Sequence, residues 1–181
     1  MKILAFAASS SRQSINKQLA NYAANQAAKL VDNAEVELLD INDYEIPLFS
    51  EDREKELGQP ALAKAFFDKI GQADAIVISF AEHNGSYTAA YKNLFDWTSR
   101  IDQKVFQGKP TLLLATSPGP GGASSVLAAA TGSAPYFAAD VKGSMSVPSF
   151  YQNFDAATGE ITDSALVQQL TQAVSELVSN S

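Results

Sequence analysis

Hydrophobic and polar positions run along this chain in blocks whose period changes. Residues 2–8 are a short apolar run that stops at the hydroxyls of Ser9, Ser10 and Ser11, and an amphipathic segment over 17–30 follows directly. That pattern predicts a strand, a polar turn and a helix start. Residues 34–40 alternate and then turn apolar, as a strand with one half-exposed side does. Residues 46–59 read as a long connection, with 51–56 as a solvated charged loop. Within it, Pro47-Leu48-Phe49 form an apolar patch that either docks on its own domain or meets a partner. Residues 61–70 have helical spacing at Leu62, Phe66, Phe67 and Ile70, and 73–80 is a continuous apolar strand of the kind buried on both faces of a parallel sheet.

The second half repeats the rhythm. A polar turn over 82–86 precedes a helix over 87–100 with Ala90, Leu94 and Trp97 on one stripe, and Lys92 and Asp96 at the spacing of a surface ion pair. Phe80, Tyr91, Phe95 and Trp97 are expected in the core or an interface. Lys109-Pro110 introduces a buried strand over 111–116, and a loop rich in glycine and proline, 117–122, leads into 123–130. A last strand is placed around 141–147, weakened by Gly143. Residues 163–178 close the chain as a helix with Leu166, Leu170, Val174, Leu177 and Val178 as its apolar face. Strands alternating with helices imply a parallel sheet covered on both sides, because each right-handed crossover returns over one face. The expectation is a single α/β domain over 1–181, a three-layer sandwich with a five-stranded parallel sheet of order 2-1-3-4-5. In that order the loops at 9–16, 81–86 and 117–122 follow strands one, three and four and meet at one crevice.

Composition narrows the function. With 181 residues, 46% apolar and 18% charged, the chain is an ordinary globular domain in size and content. A net charge of −7 argues against a nucleic-acid binder, whose footprint is basic. The absence of cysteine and the single histidine remove thiol chemistry and make a zinc centre a poor reading. The apolar run of about six residues at the start is shorter than the ~7–15 of a signal-peptide core, and no run approaches the ~18 of a membrane span. A cytoplasmic protein is expected, with Asn84-Gly85-Ser86 an accidental glycosylation sequon.

The loops carry the chemistry. Helix-opening amides lack intrahelical partners and the helix dipole is positive there, so the first loop can seat an anion. Ser9, Ser11, Ser14, Asn16 and Arg12 add donors of the kind a phosphate accepts. Taken alone, the same serines and asparagine read equally well as helix caps. The second loop, Glu82, His83, Asn84, Gly85 and Ser86, offers backbone and side-chain groups that can read the edge of a planar heteroaromatic ring. In the third, Ser117, Pro118, Gly119, Gly121 and Gly122 combine close backbone approach with rigidity. A phosphate at one loop and a flat ring between the other two point to a mononucleotide, with FMN the best candidate.

These residues also resemble a family. The first loop is similar to the Gly-Ser-x-Arg-x-x-Ser-x-Asn of the flavodoxin-like NADPH-dependent FMN reductases, whose relatives reduce quinones, azo dyes and chromate. The second loop and its helix resemble that family's Pro-Glu-Tyr-Asn-Gly-Ser and Leu-Lys-Asn-x-x-Asp-Trp at Glu82, Asn84, Gly85, Ser86, Lys92, Asn93, Asp96 and Trp97. Asp40 with Pro47-Leu48-Phe49 and Asp52, and Ser117-x-Gly119-x-x-Gly122, are similar to two further family segments. The resemblance spans roughly residues 2 to 125. It implies FMN held by Ser9, Ser11, Arg12, Ser14, Ile15 and Asn16 at the phosphate and by residues 82–86 and 117–122 around the ring. NADPH or NADH is the implied electron donor, passing a hydride to flavin N5, with electrons going on to a small acceptor taking turns in the same pocket. The cofactor does this chemistry, so no catalytic acid or base is demanded. The resemblance also implies a homodimer or homotetramer, the helix after the second loop packing across a two-fold.

The departures from the family pattern are local. Aligned on Ser14 and Asn16, Ser11 takes the usual arginine position and Arg12 stands one place later. Ala8 replaces a glycine, Ala81 a proline and His83 a tyrosine, leaving His83 to lie against the ring or point to solvent. A hydrolase built from Ser86, His83 and Asp96 lacks the Gly-x-Ser-x-Gly elbow. A flavodoxin-like electron carrier, or an FMN-binding sensor without turnover, remains the alternative. Phe66 and Phe67 read as core, and Phe150, Tyr151, Gln152, Asn153 and Phe154 either line the outer pocket or pack.

Overall fold

Every residue from Ala75 to Phe80 is buried, a state reached only by a strand with neighbours on both edges and helices over both faces. The computed structural model, which describes residues 1–179, shows this arrangement. Five parallel strands, β1 (Lys2–Ala8), β2 (Glu35–Leu39), β3 (Ala75–Phe80), β4 (Pro110–Thr116) and β5 (Asp140–Val147), form one sheet in the order β2-β1-β3-β4-β5. This is the expected 2-1-3-4-5 topology. The helices are α1 (Ile15–Ala28), α2 (Glu51–Leu57), α3 (Ala61–Gln72), α4 (Ala89–Ser99), α5 (Ser124–Ser133) and α6 (Ser164–Val178).

Alternation along the strands divides the core in two. Leu4, Phe6, Ile76, Ile78, Leu113 and Ala115 pack with Phe66 and Ile70 of α3, Tyr91 and Leu94 of α4, and Val126 and Leu127 of α5. On the other face, Ile3, Ala5, Val77, Leu112 and Leu114 pack with Leu19 and the alanines of α1 and with Leu170, Val174 and Leu177 of α6. Small residues let α1 lie close: Ala20, Ala23, Ala24 and Ala27 are fully buried.

Several elements differ from the sequence expectation for physical reasons. The charged connection contains helix α2, none of whose residues is buried, so it leaves no apolar stripe to read. Its signals are its ends: the Ser50 hydroxyl accepts from Arg53 N–H, acidic residues fill the first turn, and Gly58 at φ +66 closes it. In α3 the buried stripe is Ala63, Phe66 and Ile70, while Leu62 is exposed and Phe67 half-buried. In α4 it is Tyr91, Leu94 and Trp97, with Ala90 exposed. Gly143, which weakened the reading of β5, lies inside the strand because α6 crosses there: a Cβ would stand 3.3 Å from Ala173 Cβ and 3.4 Å from Leu112 Cδ1. The Pro47-Leu48-Phe49 patch docks on its own domain, Phe49 meeting Trp97 edge-on at 5.1 Å and Pro47 O accepting from Trp97 Nε1 at 2.7 Å. Leu48 stays exposed. Among the described residues, no helix is long and apolar enough to cross a membrane.

At the edge of the sheet Glu37 sits between Lys2 and Lys69. Hydrogen bonds from Lys2 and then Lys69 hold its carboxyl below the ordinary value of 4.5. A folded value below the unfolded one means stabilisation that is present above pH 4.5 and is lost as pH falls through the folded value. Glu37→Gln is expected to cost about 0.5 kcal/mol at pH 7, the scale of a screened surface network. Urea unfolding of both proteins across pH checks this: the gap closes on acidification, and a gap that widens instead would refute it.

Candidate functional site

The site lies at the carboxyl ends of β1, β3 and β4, where the order of the strands reverses. Its foundation is Asn16, in the first turn of α1 and only 2% exposed. The Asn16 amide nitrogen donates to Thr116 O at 3.1 Å, and its side-chain oxygen accepts from Thr116 N–H at 3.1 Å and from the Ser79 hydroxyl at 2.7 Å. One side chain therefore ties the β1–α1 turn to the ends of β3 and β4. The amide expected to reach toward a phosphate is engaged with the protein itself, and the Asn16 backbone N–H, in the first helical turn, has no intrahelical partner.

In the rest of the first loop the capping role is met: the Ser14 oxygen accepts from Lys17 N–H at 3.2 Å as the N-cap of α1, which leaves its hydrogen to donate. Ser9 accepts from Ser11 N–H at 3.2 Å in the same way. Ser9, Ser11, Ser14, Ile15 and Asn16 all line a crevice of about 270 Å³. Arg12 does not; it borders a separate groove on the outer side of α1 with Gln13, Ser14 and Lys17. Lys17 is held there by Asp40 at 2.7 Å.

The second loop is a hairpin, not an open turn. Glu82 pairs with Tyr87 and His83 with Ser86 across Asn84-Gly85, whose φ values of +52 and +76 are those a two-residue type I′ turn requires. The hairpin is anchored at both ends. The Glu82 carboxylate accepts from Val126 N–H at 2.8 Å and so caps α5 from outside, since Ala123 at the N-cap supplies no side-chain bond. The Thr88 hydroxyl donates to Ala8 O at 3.0 Å and accepts from Tyr91 N–H as it caps α4. Glu82 and His83 line the crevice, whereas Asn84, Gly85 and Ser86 at the tip are exposed and do not.

From the third loop, Ser117 and Pro118 line the crevice. Gly119, Gly121 and Gly122 lie behind it and shape the loop. Gly122, at φ +56, is held by Ser146 Oγ donating to its carbonyl at 2.6 Å, and a Cβ there would come 2.1 Å from that oxygen and 3.0 Å from Pro148 Cα. Only glycine fits. Sequence reasoning did not single out Gln13 or Thr116, noted Ala81 only as the replacement of a proline, and left open Tyr151, all of which line the crevice. Thr116 and Ala81 were legible as strand-end positions at the switch point; Gln13 and Tyr151 carry no motif.

The donor set fits a phosphate monoester and a polar-edged ring. The wall carries the hydroxyls of Ser9, Ser11, Ser14, Thr116 and Ser117 beside apolar surface, and Glu82, the carboxylate among the lining residues, is turned to the N-terminus of α5. Fold and crevice together define a doubly wound, flavodoxin-like α/β protein with a crevice at the switch point. The chain belongs to the NADPH-dependent FMN reductase family, which matches residues 1–152. Among curated relatives, a 2-hydroxy-1,4-benzoquinone reductase of a Burkholderia species is 36% identical over 120 residues, 66% of this chain and 62% of that protein. A quinone reductase of Escherichia coli strain K12 is 40% identical over 75 residues, 41% of this chain and 40% of that one. The match thus spans less than two thirds of these relatives' own lengths. Among solved structures, the flavoenzyme FerB of Paracoccus denitrificans, an NAD(P)H:(acceptor) oxidoreductase, superimposes with a TM-score of 0.74 at 26% identity, over 98% of this chain and 95% of that one. The azoreductase AzrA, at 16% identity and a TM-score of 0.65 over 99% and 100% of the two chains, shares the fold.

Asn16→Ala removes the partner of Thr116 N–H, Thr116 O and the Ser79 hydroxyl at once. With unmet buried groups costing about 1–3 kcal/mol each and relaxing in part, the expected loss is about 3 kcal/mol in urea unfolding. A loss under about 1 kcal/mol would show that the three loops hold together without it.

Proposed function

We propose that this protein is an FMN-dependent NAD(P)H oxidoreductase delivering electrons to a small acceptor of the quinone, free-flavin, azo or metal-ion class, and that its residues 1–181 form one FMN-binding domain. The observation that carries the reading is the crevice itself: a helix-opening hydroxyl cradle at one loop and two braced, backbone-rich turns opposite it, all on strand ends joined by Asn16. Ser9, Ser11, Ser14 and the first-turn amides of Ile15 and Asn16 hold the phosphate. Arg12 and Lys17 lend positive potential from the adjoining groove. The hairpin at Glu82 and His83 and the Ser117-Pro118 turn hold the ring from two sides. When bound, FMN supplies the redox chemistry, accepting a hydride from a nicotinamide and returning the electrons to the acceptor. The chain's own task is to position rings and keep the phosphate fixed, and no side chain is asked to move a proton. The activities of the quinone reductases and of FerB support the choice of donor and acceptor class.

The test is an absorbance spectrum after incubation with FMN and desalting, with riboflavin as the control lacking a phosphate, then anaerobic addition of NADPH and of NADH. Retained FMN, lost riboflavin and bleaching by one or both nucleotides are expected. Flavin retained but bleached by neither nucleotide would overturn the reductase in favour of a carrier or sensor, and no retained FMN would overturn the phosphate cradle.

The same reading includes assembly as a homodimer or homotetramer through the flank of α4 and α5. A cavity of about 230 Å³ opens there, lined by Phe80, Tyr87, Tyr91, Phe95, Phe106 and Phe137 beside the Lys92–Asp96 ion pair. An aromatic hollow at the surface is better covered than left to water. Sedimentation velocity should give the mass of two or four chains; a single-chain mass at micromolar concentration would refute assembly.

A further inference from the structure

Tyr151 leaves 71% of its surface exposed, yet its mounting is rigid. It follows β5 on a short helical turn, Phe150–Asn153, that starts from Ser149 at φ 47 and ψ 58, left-handed backbone that a non-glycine residue adopts at a cost. The turn is bonded to the third loop: Ser149 N–H donates to Gly119 O at 2.9 Å and Phe150 N–H to Ser117 O at 3.0 Å. Asn153 Nδ2 donates to Pro148 O at 2.8 Å. On either side of Tyr151 the aromatics are core. Phe150 stacks on Phe154 with centroids 4.6 Å apart, and Phe154 meets Tyr22 of α1 edge-on. The Tyr151 ring stands edge-on to Phe150 at 5.5 Å and 85°. Its position on the lip of the crevice, with Ser117 and Pro118, is set before any ligand arrives.

A ring held in place but left in water gains none of the burial that folding gives Phe150 and Phe154. The crevice wall around it is otherwise hydroxyls, amides, the Glu82 carboxylate and small apolar groups, with the exposed His83 imidazole from the second loop as the other aromatic ring. We infer that Tyr151 is a specificity-determining residue: its ring is the platform on which the planar ring of the exchanging redox partner, the nicotinamide of the donor or a quinone acceptor, rests in the crevice. This inference stands on the proposed FMN-dependent reductase. It assigns Tyr151 to the partner that comes and goes, and not to the flavin, because a side chain left so exposed borders the crevice from its solvent side. Stacking of one ring on another supplies preference for flat conjugated partners over compact ones without any hydrogen bond.

The test uses the FMN-loaded wild type, Tyr151→Ala and Tyr151→Phe. An exposed side chain can be truncated without loss of core, so both variants fold. Three quantities are read: FMN affinity by fluorescence titration of the apoprotein, KM for NADPH and for benzoquinone, and the ratio of kcat/KM for benzoquinone to that for ferricyanide, which presents no planar ring. In Tyr151→Ala, KM for benzoquinone, for NADPH or for both rises about five- to tenfold, and the arm that moves names the ring that rests there. If it is the quinone, the benzoquinone-to-ferricyanide ratio falls by the same factor. FMN affinity stays within about twofold, and Tyr151→Phe behaves as wild type, since a ring face and not a hydroxyl is used. Unchanged KM values in Tyr151→Ala, weakened FMN binding as its main effect, or a Tyr151→Phe variant as impaired as Tyr151→Ala would each overturn the assignment while leaving the reductase intact. A wild type that retains no FMN, or that no nucleotide reduces, overturns the reductase reading and this assignment with it.

Discussion

The three-way hydrogen bonding of the Asn16 side chain is the constraint on which the site depends. In a doubly wound sheet the strands end side by side, but nothing in the sheet ladder fixes the loops that leave them. A carboxamide placed in the first turn of α1 can satisfy the backbone N–H and C=O of a neighbouring strand end at the same time. Asn16 does so at Thr116 and adds the Ser79 hydroxyl. Because these groups are buried, the alternative to this geometry is a set of unpaired polar atoms, and the loops are held in register by that penalty.

Around this knot the other loop contacts follow one logic. Each turn that faces the crevice is braced from behind by a bond to a different element. Thr88 ties the hairpin to the end of β1, Glu82 ties it to α5, and Ser149 and Phe150 tie the Tyr151 turn to the third loop. Gly122 sits where no side chain fits, against Ser146 and Pro148. Of the hydroxyls in the crevice, Ser9 and Ser14 each accept one backbone N–H, whereas Thr116 and Ser117 donate to Val147 O and Gly119 O. Turns braced in this way hold their polar groups at fixed positions, so little order remains to be imposed when a ligand binds.

Much of this was legible in the sequence. The largely apolar runs at 73–80 and 111–116 declare central parallel strands, and the alternation with amphipathic helices is enough to set topology and handedness. The loops that meet at the crevice could be placed because strand ends one, three and four adjoin in that topology. Helix α2 was hidden because a helix with no buried face has no periodic stripe, although Ser50 and Gly58 mark its ends. Leu62 and Ala90 were misplaced on their stripes for a related reason: at helix N-termini the angular position of a residue matters more than its apolar character.

The sequence by itself determined the fold class, the strand order and the segments from which the site is drawn, because those follow from the periodicity of hydrophobic positions and from the geometry of right-handed crossovers. Only the tertiary structure decided which way each side chain faces. It turned the Asn16 side chain inward, set Ser11 in the crevice and Arg12 in the groove beside it, and engaged Glu82 as the cap of a helix more than 40 residues away. It also separated Tyr151 from its buried neighbours Phe150 and Phe154. The physical reason is that direction depends on partners brought together by the fold across the chain, Thr116 for Asn16 and Val126 for Glu82, and no local pattern encodes a partner that distant.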